Sequence, residues 1–555
     1  MTHAMTARFP AAPTAASAAR ERSGVPAWAA PAVVFLCAAA LRVTGLGWPG
    51  TFDEFYHLLA AQGYLDTGTF RIGDGTYDRA PLYTLMVAGL LWLGDGSPAV
   101  VRALSMVAGA GLAAALFVWV RGVAGPLAAW IAAAFAILWP EGIFLSQYVR
   151  FYTLQGLLFF AGAVAVYHAT DPGRAGASRA WLSAGAVAAF GLAVHFTPLT
   201  AVGLVPLAAW AGIALILPAL FALRGGAWIV AALVLGGLAA AAALWVLGPL
   251  REAWEMFRFT PDWAARRQDN LTYYHAMFRD AYPSLWPLTP VAALVAIAHR
   301  PRAGLFVTVM ALGILGLQSA GGMKAERYVY YGMAFLFALW AIAGAAVAAP
   351  AARWLIGIAH RAAGTVLPGR WASAVAWGAV GLAAILVLAS NRVLDHVVEI
   401  VRRGPPAELG MDWPAAAGPL APALERADVL VTSKELQAFY HLGRADVILS
   451  ASRLSELPER DPFSLDPRTG RPVVGDAASV ARLMACTADG VILMPAAHVA
   501  TMESFLTEVP AGTRLEPVAL PEATALTAVE WTTARAGAGG DCAVVDAALP
   551  GAAGG

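Results

Sequence analysis

Asp53 and Glu54 stand side by side shortly after the first long apolar run of the chain, and His57 follows four residues past Asp53. Neighbouring side chains point in different directions on any backbone, so the two carboxylates do not share one proton. One can serve as a base while the other positions it or a ligand. On a helix His57 shares the face of Asp53, which permits a metal, with a hydrogen-bonded surface pair as the plainer alternative. Asp66, Asp74, Asp78, Arg71 and Arg79 crowd the same stretch, Thr51 to Tyr83. Ionisable groups this dense belong in water, so the stretch is an aqueous loop.

Three basic clusters accompany the pair. Asp78-Arg79-Ala80-Pro81-Leu82-Tyr83 closes the loop; Tyr148, Arg150 and Tyr152 stand at the outer end of the fourth apolar span, and Lys324, Glu326, Arg327 and Tyr328 at that of the tenth. Each cation alone reads as an anchor at a helix end, its charged head reaching the interface. Counting spans puts all three clusters on the face that carries Asp53. Cations set against a carboxylate pair at a membrane surface suit a substrate with a phosphate head and a lipid tail.

The elements that must position these residues are membrane helices. Of 555 residues, 59% are apolar and 13% charged, with a mean hydropathy of +0.64, the composition of an integral membrane protein. The net charge of +1 and the scatter of Lys and Arg give no patch for nucleic acid. Residues 1–25 read as a disordered cytoplasmic leader. Apolar runs fall near 26–45, 99–121, 125–146, 151–169, 181–198, 202–222, 227–249, 284–299, 303–320, 328–350 and 372–390. Against the roughly 17 to 25 residues needed to cross a bilayer, that predicts about eleven spans over 26–390. Pro81–Leu93 is too short to cross and suits a helix lying at the interface. A cytoplasmic N-terminus puts 46–98, with Asp53, outside. It also puts 250–283, 321–327 and 391–555 there, and leaves most remaining loop arginines inside.

Past Asn391 the composition changes. Asp428–Ser450 reads as strand, helix, strand; Ala478–Met494 repeats the pattern, and short strands are expected near 524–531 and 542–546. The fold class is therefore an all-α polytopic membrane protein with a small extracytoplasmic α/β domain at 391–555. Lys434, Glu435 and His441 read as that domain's solvated face, so the tail is expected to hold no catalytic group and to cover the membrane part or hold an acceptor. Cys486 and Cys542 either pair, if the tail faces an oxidising compartment, or remain two buried thiols.

The acidic pair after the first helix, the basic residue and proline before a short apolar segment, Arg150 after the third span and Arg327-Tyr328 near the tenth resemble the polytopic lipid-linked-sugar transferases of the C-type glycosyltransferase superfamily. The nearest pattern is that of the protein O-mannosyltransferases and the bacterial aminoarabinose transferases of lipid A. The resemblance covers roughly residues 27 to 345. It implies Asp53 as the catalytic aspartate with Glu54 as its acidic neighbour. It also implies that Arg79, Arg150, Lys324, Arg327 and Tyr328 surround the donor phosphate and its lipid, with His57, Tyr83 and Tyr148 as further substrate contacts. Where relatives have Lys-Pro-Pro this chain has Arg79-Ala80-Pro81, Tyr152 replaces an aspartate, and no proline follows Tyr328.

What the resemblance implies is an inverting sugar transfer from a polyprenyl-phosphate donor to a hydroxyl on a glycan, lipid or protein, outside the cytoplasm of a bacterial inner membrane. It leaves room for a divalent cation, Mg or Mn. An O-antigen ligase or polymerase also uses lipid-linked sugars, but its large loop falls between late spans. A transporter calls for ionisable groups at mid-bilayer, where His195 is the sole candidate.

Overall fold

The computed structural model describes residues 26–260 apart from Pro172 and Arg224, then 270–363, 391–402, 410–533 and 542–549, with scattered positions between 374 and 390. The expected leader, residues 261–269 of the second large loop and most of the expected last span lie outside the described residues.

Seven described helices are long and apolar enough to cross a membrane: Pro98–Ala124, Tyr152–Ala169, Gly176–Phe196, Thr200–Phe221, Gly226–Val246, Pro301–Ala320 and Glu326–Ile358. Ala29–Gly45, Pro126–Leu138 and Thr289–His299 are apolar but shorter, and Pro81–Leu93 forms the short helix expected of it. The count of eleven full-length crossings is thus not reached among the described residues. One reason is local. The run 125–146 breaks at Trp139, whose φ of −69° and ψ of 112° are extended, because the ring of Pro140 disfavours a helical residue before it. The chain restarts as the one-turn helix Pro140–Leu145.

Burial separates the spans. Helix Glu326–Ala363 is buried at every position from Tyr328 to Ala343, packed by Tyr152–Ala169, Pro126–Leu138, Thr289–His299 and Pro301–Ala320. A helix so enclosed cannot rotate or slide without opening voids, so it holds its first turn in place. Gly226–Val246 buries none of its apolar window and faces the surroundings with Trp228, Leu235 and Val246.

Among the described residues the C-terminal domain carries six strands: β3 Val429–Thr432, β4 Val447–Leu449, β5 Val473–Val474, β6 Asp489–Pro495, β7 Arg514–Val518 and β8 Leu526–Thr532. They lie in the order β5-β4-β3-β6-β8-β7; the first four are parallel, and β8 runs antiparallel to both of its neighbours, β6 and β7. Helices cover the parallel part, as its crossovers require. Cys486 and Cys542 form a disulfide. The strand expected at 542–546 is instead a helix, Ala543–Ala548, whose Val545 packs into the same apolar cluster as both cysteines.

This domain sits on the first loop. The hairpin β1 Arg71–Ile72 with β2 Gly75–Thr76 meets the segment 467–470, where Asp74 N–H donates to the Thr469 carbonyl at 3.1 Å and Thr76 N–H to the Pro467 carbonyl at 3.1 Å. The approach requires glycine. A Cβ on Gly75 would lie 2.4 Å from the Thr469 nitrogen, and one on Gly470, whose φ is 68°, 2.7 Å from the Asp74 carbonyl carbon. Helix Glu435–Leu442 packs on helix Phe52–Thr67, with Phe55 and Tyr440 rings 4.9 Å apart.

Candidate active site

Helix Phe52–Thr67 begins after Thr51, an extended N-cap, and ends at Gly68 with φ 75°, the left-handed stop that glycine takes without cost. Asp53 and Glu54 fall in its first turn, at the positive end of the helix dipole. Adjacency sends them apart. Glu54 is fully buried; its carboxylate takes Arg102 Nε at 2.9 Å and Nη2 at 3.2 Å, the Val149 N–H at 2.8 Å and the Thr51 N–H at 2.8 Å. Both Glu54 oxygens are engaged by the protein, and Glu54 lines neither of the cavities that meet at Asp53. Arg102 escaped the sequence reading. Its place in the first turn of the next span, Pro98–Ala124, was the only signal.

Asp53 turns outward, its side chain 41% exposed. Arg150 donates Nη1 to the Asp53 carbonyl at 3.0 Å and Nη2 to Oδ2 at 3.3 Å, and Arg327 Nη2 stands 4.0 Å from the same oxygen. Arg79 lies over the Phe151 ring at 5.9 Å. Burial by itself raises the Asp53 pKa, but the guanidiniums of Arg150, Arg327, Arg79 and Arg468 outweigh it and hold the carboxyl below its ordinary value.

Two cavities meet at Asp53. The smaller, ≈ 340 Å³, runs from Asp53 past Glu141, Phe144 and Tyr148; the larger, ≈ 1060 Å³, runs past Arg79 and Tyr328 to the C-terminal domain. Phe52, Asp53, Arg150, Tyr152, Arg327 and Lys434 line both. Of the expected contacts, Arg79, Arg150, Arg327, Tyr328 and Tyr148 are therefore brought to one place by three separate segments of the chain. Tyr152, noted in the sequence beside Arg150 and as a departure from the relatives, joins them.

Three expected residues do not reach a cavity wall. Lys324 is 1% exposed and donates to the Gly321 carbonyl at 2.6 Å, closing the turn before the long helix. His57 is fully buried among Tyr77, Tyr83 and Phe151, with Nδ1 3.0 Å from the Thr84 hydroxyl. Burial there pushes its pKa well down, so it stays neutral. Tyr83 is likewise wholly enclosed, beneath Phe151 and Phe196. The two rings pack edge to face against each other, 4.9 Å apart, beneath helix Phe52–Thr67.

The tail contributes more than expected. Lys434 has its Nζ 5.5 Å from the Phe52 ring centroid and lines both cavities. Glu435, read from sequence as solvated, is 2% exposed and lies on the larger cavity with Arg453, Arg460 and Arg468. Burial raises its pKa to about 7 against the pull of Arg453. Among the described residues no three His, Cys, Asp or Glu side chains gather in a way that could hold a metal. Asp53, on the wall of both cavities, is already surrounded by guanidiniums, a poor setting for a cation.

No protein-family model matches the chain, and no curated protein matches it. Solved structures do. ArnT, an aminoarabinose transferase from Cupriavidus metallidurans, bound to undecaprenyl phosphate, aligns with a TM-score of 0.59 over 91% of this chain and 98% of its own, at 15% identity. Its apo state aligns with a TM-score of 0.55 over 90% and 97%, at 16% identity. The archaeal oligosaccharyltransferase AglB from Archaeoglobus fulgidus, in complex with an inhibitory peptide and a dolichol-phosphate, aligns with a TM-score of 0.54 over 87% of this chain and 71% of that one, at 12% identity. At these identities the likeness speaks for architecture alone: over most of its length this chain shares the fold of ArnT and of AglB.

Proposed function

We propose that this protein is an inverting glycosyltransferase that moves a sugar from a polyprenyl-phosphate donor to an acceptor hydroxyl on the extracytoplasmic face of the membrane. The observation that carries the reading is the placement of Asp53 on the wall common to both cavities, faced by guanidiniums from the first loop, the turn before helix Tyr152–Ala169 and the start of helix Glu326–Ala363. Donor and acceptor can approach one carboxylate from two sides. Arg150, Arg327 and Arg79 meet the phosphate charge in the fork geometry that guanidinium offers.

In the transfer, the acceptor oxygen attacks C1 of the sugar from the side opposite the phosphate. The new C1–O bond forms while the bond from C1 to the phosphate oxygen breaks, its electron pair leaving with the polyprenyl phosphate. The hydroxyl proton passes to Asp53. Both neighbouring guanidiniums address Oδ2, which leaves Oδ1 turned to the acceptor. A carboxylate of lowered pKa is always ionised but weakly basic, so the proton moves late, after bond formation has made the hydroxyl acidic. The arginines then hold the charge that develops on the leaving phosphate.

The test is purified protein in lipid nanodiscs with a panel of polyprenyl-phosphate sugars, following donor consumption and the anomeric configuration of the product. Consumption of one donor with inversion supports the reading. Folded protein that consumes none of the panel overturns it.

A further inference from the structure

The larger cavity holds more positive charge than donor chemistry at Asp53 uses. One wall belongs to the membrane domain and carries Arg79, Arg150 and Arg327; the facing wall belongs to the C-terminal domain and adds Arg453, Arg460 and Arg468. These last three differ in what they already do.

Arg453 is committed to structure. It stands 3.9 Å from Glu435, 3.3 Å from Glu456 and 3.7 Å from Asp466, and it donates to the Tyr56 hydroxyl. Arg468 donates to the same hydroxyl at 3.2 Å and lies over the Tyr56 ring at 5.5 Å, with no carboxylate at ion-pair distance among the described residues. Arg460 is exposed and makes no ion pair or hydrogen bond among the described residues. The chain holds it there at a cost. Arg460 and Phe463 have φ of 51° and 70°, a conformation unfavourable for side chains other than glycine's. Phe463 is buried and its N–H donates to the Val473 carbonyl at 2.8 Å, so the loop is anchored just beyond Arg460. The volume, ≈ 1060 Å³, exceeds that of the smaller cavity roughly threefold, and leaves room beyond a single sugar ring.

We propose that Arg460 and Arg468 form the acceptor subsite, and that the acceptor carries an anionic group, a phosphate or a carboxylate, held by these two guanidiniums while its hydroxyl faces Asp53. This assignment rests on the donor reading given above. It makes the C-terminal domain a specificity element. Tyr56, on the catalytic helix and bonded to Arg468, ties the subsite to the carboxylate three residues before it.

The experiment uses the full chain in nanodiscs of neutral lipid, first saturated with undecaprenyl phosphate to fill the donor arginines. Binding of glucose 6-phosphate, glucuronate and glucose is then measured by titration calorimetry on the wild type, Arg460→Gln and Arg468→Gln. One or both charged sugars should bind, glucose should not, and each variant should weaken the charged ligand about tenfold or more. Arg460→Gln touches no packed contact and keeps the test sound if Arg468→Gln disturbs Tyr56. Which charged sugar binds distinguishes phosphate from carboxylate. Equal binding of charged and neutral sugars overturns the proposal, as does charged-sugar binding unchanged in Arg460→Gln or abolished by undecaprenyl phosphate. Donor hydrolysis by the wild type is followed in parallel. A wild type that binds the anion yet consumes no donor counts against the donor reading alone.

Discussion

Glu54 and Arg102 form a two-point ion pair from which solvent is excluded, Nε to Oε2 at 2.9 Å and Nη2 to Oε1 at 3.2 Å, joining helix Phe52–Thr67 to the following span. Arg102 Nη1 continues to the carbonyls of Leu46 at 3.0 Å and Trp48 at 2.5 Å, so one guanidinium fixes both ends of the loop's first turn. Removing one partner of such a pair leaves an uncompensated buried charge and costs about 3–5 kcal/mol. Glu54→Gln and Arg102→Met should therefore each lower the thermal unfolding midpoint and the yield of folded protein. Turnover per folded molecule in Glu54→Gln should fall far less than in Asp53→Asn; a stable Glu54→Gln protein without turnover would return Glu54 to the chemistry.

Asp53→Asn keeps the shape of the side chain and its contact with Arg150 but cannot take the proton. Loss of a general base reduces rate by about 10² to 10⁴. The fall should appear in kcat, with KM for the donor little changed. The neighbouring guanidiniums hold the Asp53 pKa below the ordinary carboxylate value, so the group stays ionised from neutral pH down through the ordinary carboxylate range, and the acid limb of the rate profile should lie below it. Arg150→Gln removes the foremost cationic partner and should move that limb upward. An acid limb in the same place in both proteins would detach it from Asp53.

An arginine that only anchors a helix can be exchanged for lysine, whereas one that grips a phosphate with two nitrogens cannot. Arg327→Lys should raise KM for the lipid donor, and Arg79→Lys should do so to a smaller degree, since Arg79 is exposed at the rim. Arg327→Ala removes the contact and should cost about 1.5–3 kcal/mol of donor binding, roughly ten- to a hundredfold. Donor kinetics unchanged in both Arg327 variants would make it an anchor.

Glu435 gives a stability prediction of definite sign. Burial raises its pKa from 4.5 to about 7 in the folded chain. Between those values the unfolded chain releases a proton that the folded chain keeps, so this group's effect is a loss of stability as pH rises from about 4.5 to 7. Outside that window it contributes no slope. Glu435→Gln cannot ionise and should flatten the decline, being more stable than wild type at about pH 8 and similar at about pH 4. Unfolding midpoints measured across pH by intrinsic fluorescence decide it; parallel curves for the two proteins would refute the assignment.

The proposed chemistry also requires the first loop and the C-terminal domain to share one side of the membrane. Ser97 precedes helix Pro98–Ala124, and Ser433 lies on the larger cavity. Engineered Ser97→Cys and Ser433→Cys should both react with an impermeant thiol reagent added from outside intact cells. Reaction from opposite faces would dissolve the site.

The sequence by itself determined the class, the aqueous loop and its arginines, because these depend on composition and on period. Apolar length reports a membrane helix wherever it occurs, and charge density reports water. The alternation of strand and helix past Asn391 was legible for the same reason, down to β3, β4 and β6. Proline chemistry at Trp139-Pro140 was also written in the chain, yet apolar length masked it.

What only the tertiary structure decided was direction. Asp53 and Glu54 are equivalent on paper; the first turn of one helix aims Asp53 at the cavities and Glu54 at Arg102, 48 residues away. Lys324, His57 and Tyr83 have the types a phosphate or sugar would want, but packing encloses them. Arg453, Arg460 and Arg468 join a cavity with Arg79 because Gly75 and Gly470 let two backbones approach within the width of a missing Cβ. A contact between residues nearly 400 positions apart leaves no mark on local periodicity, since neither segment needs the other to form its own turn or strand.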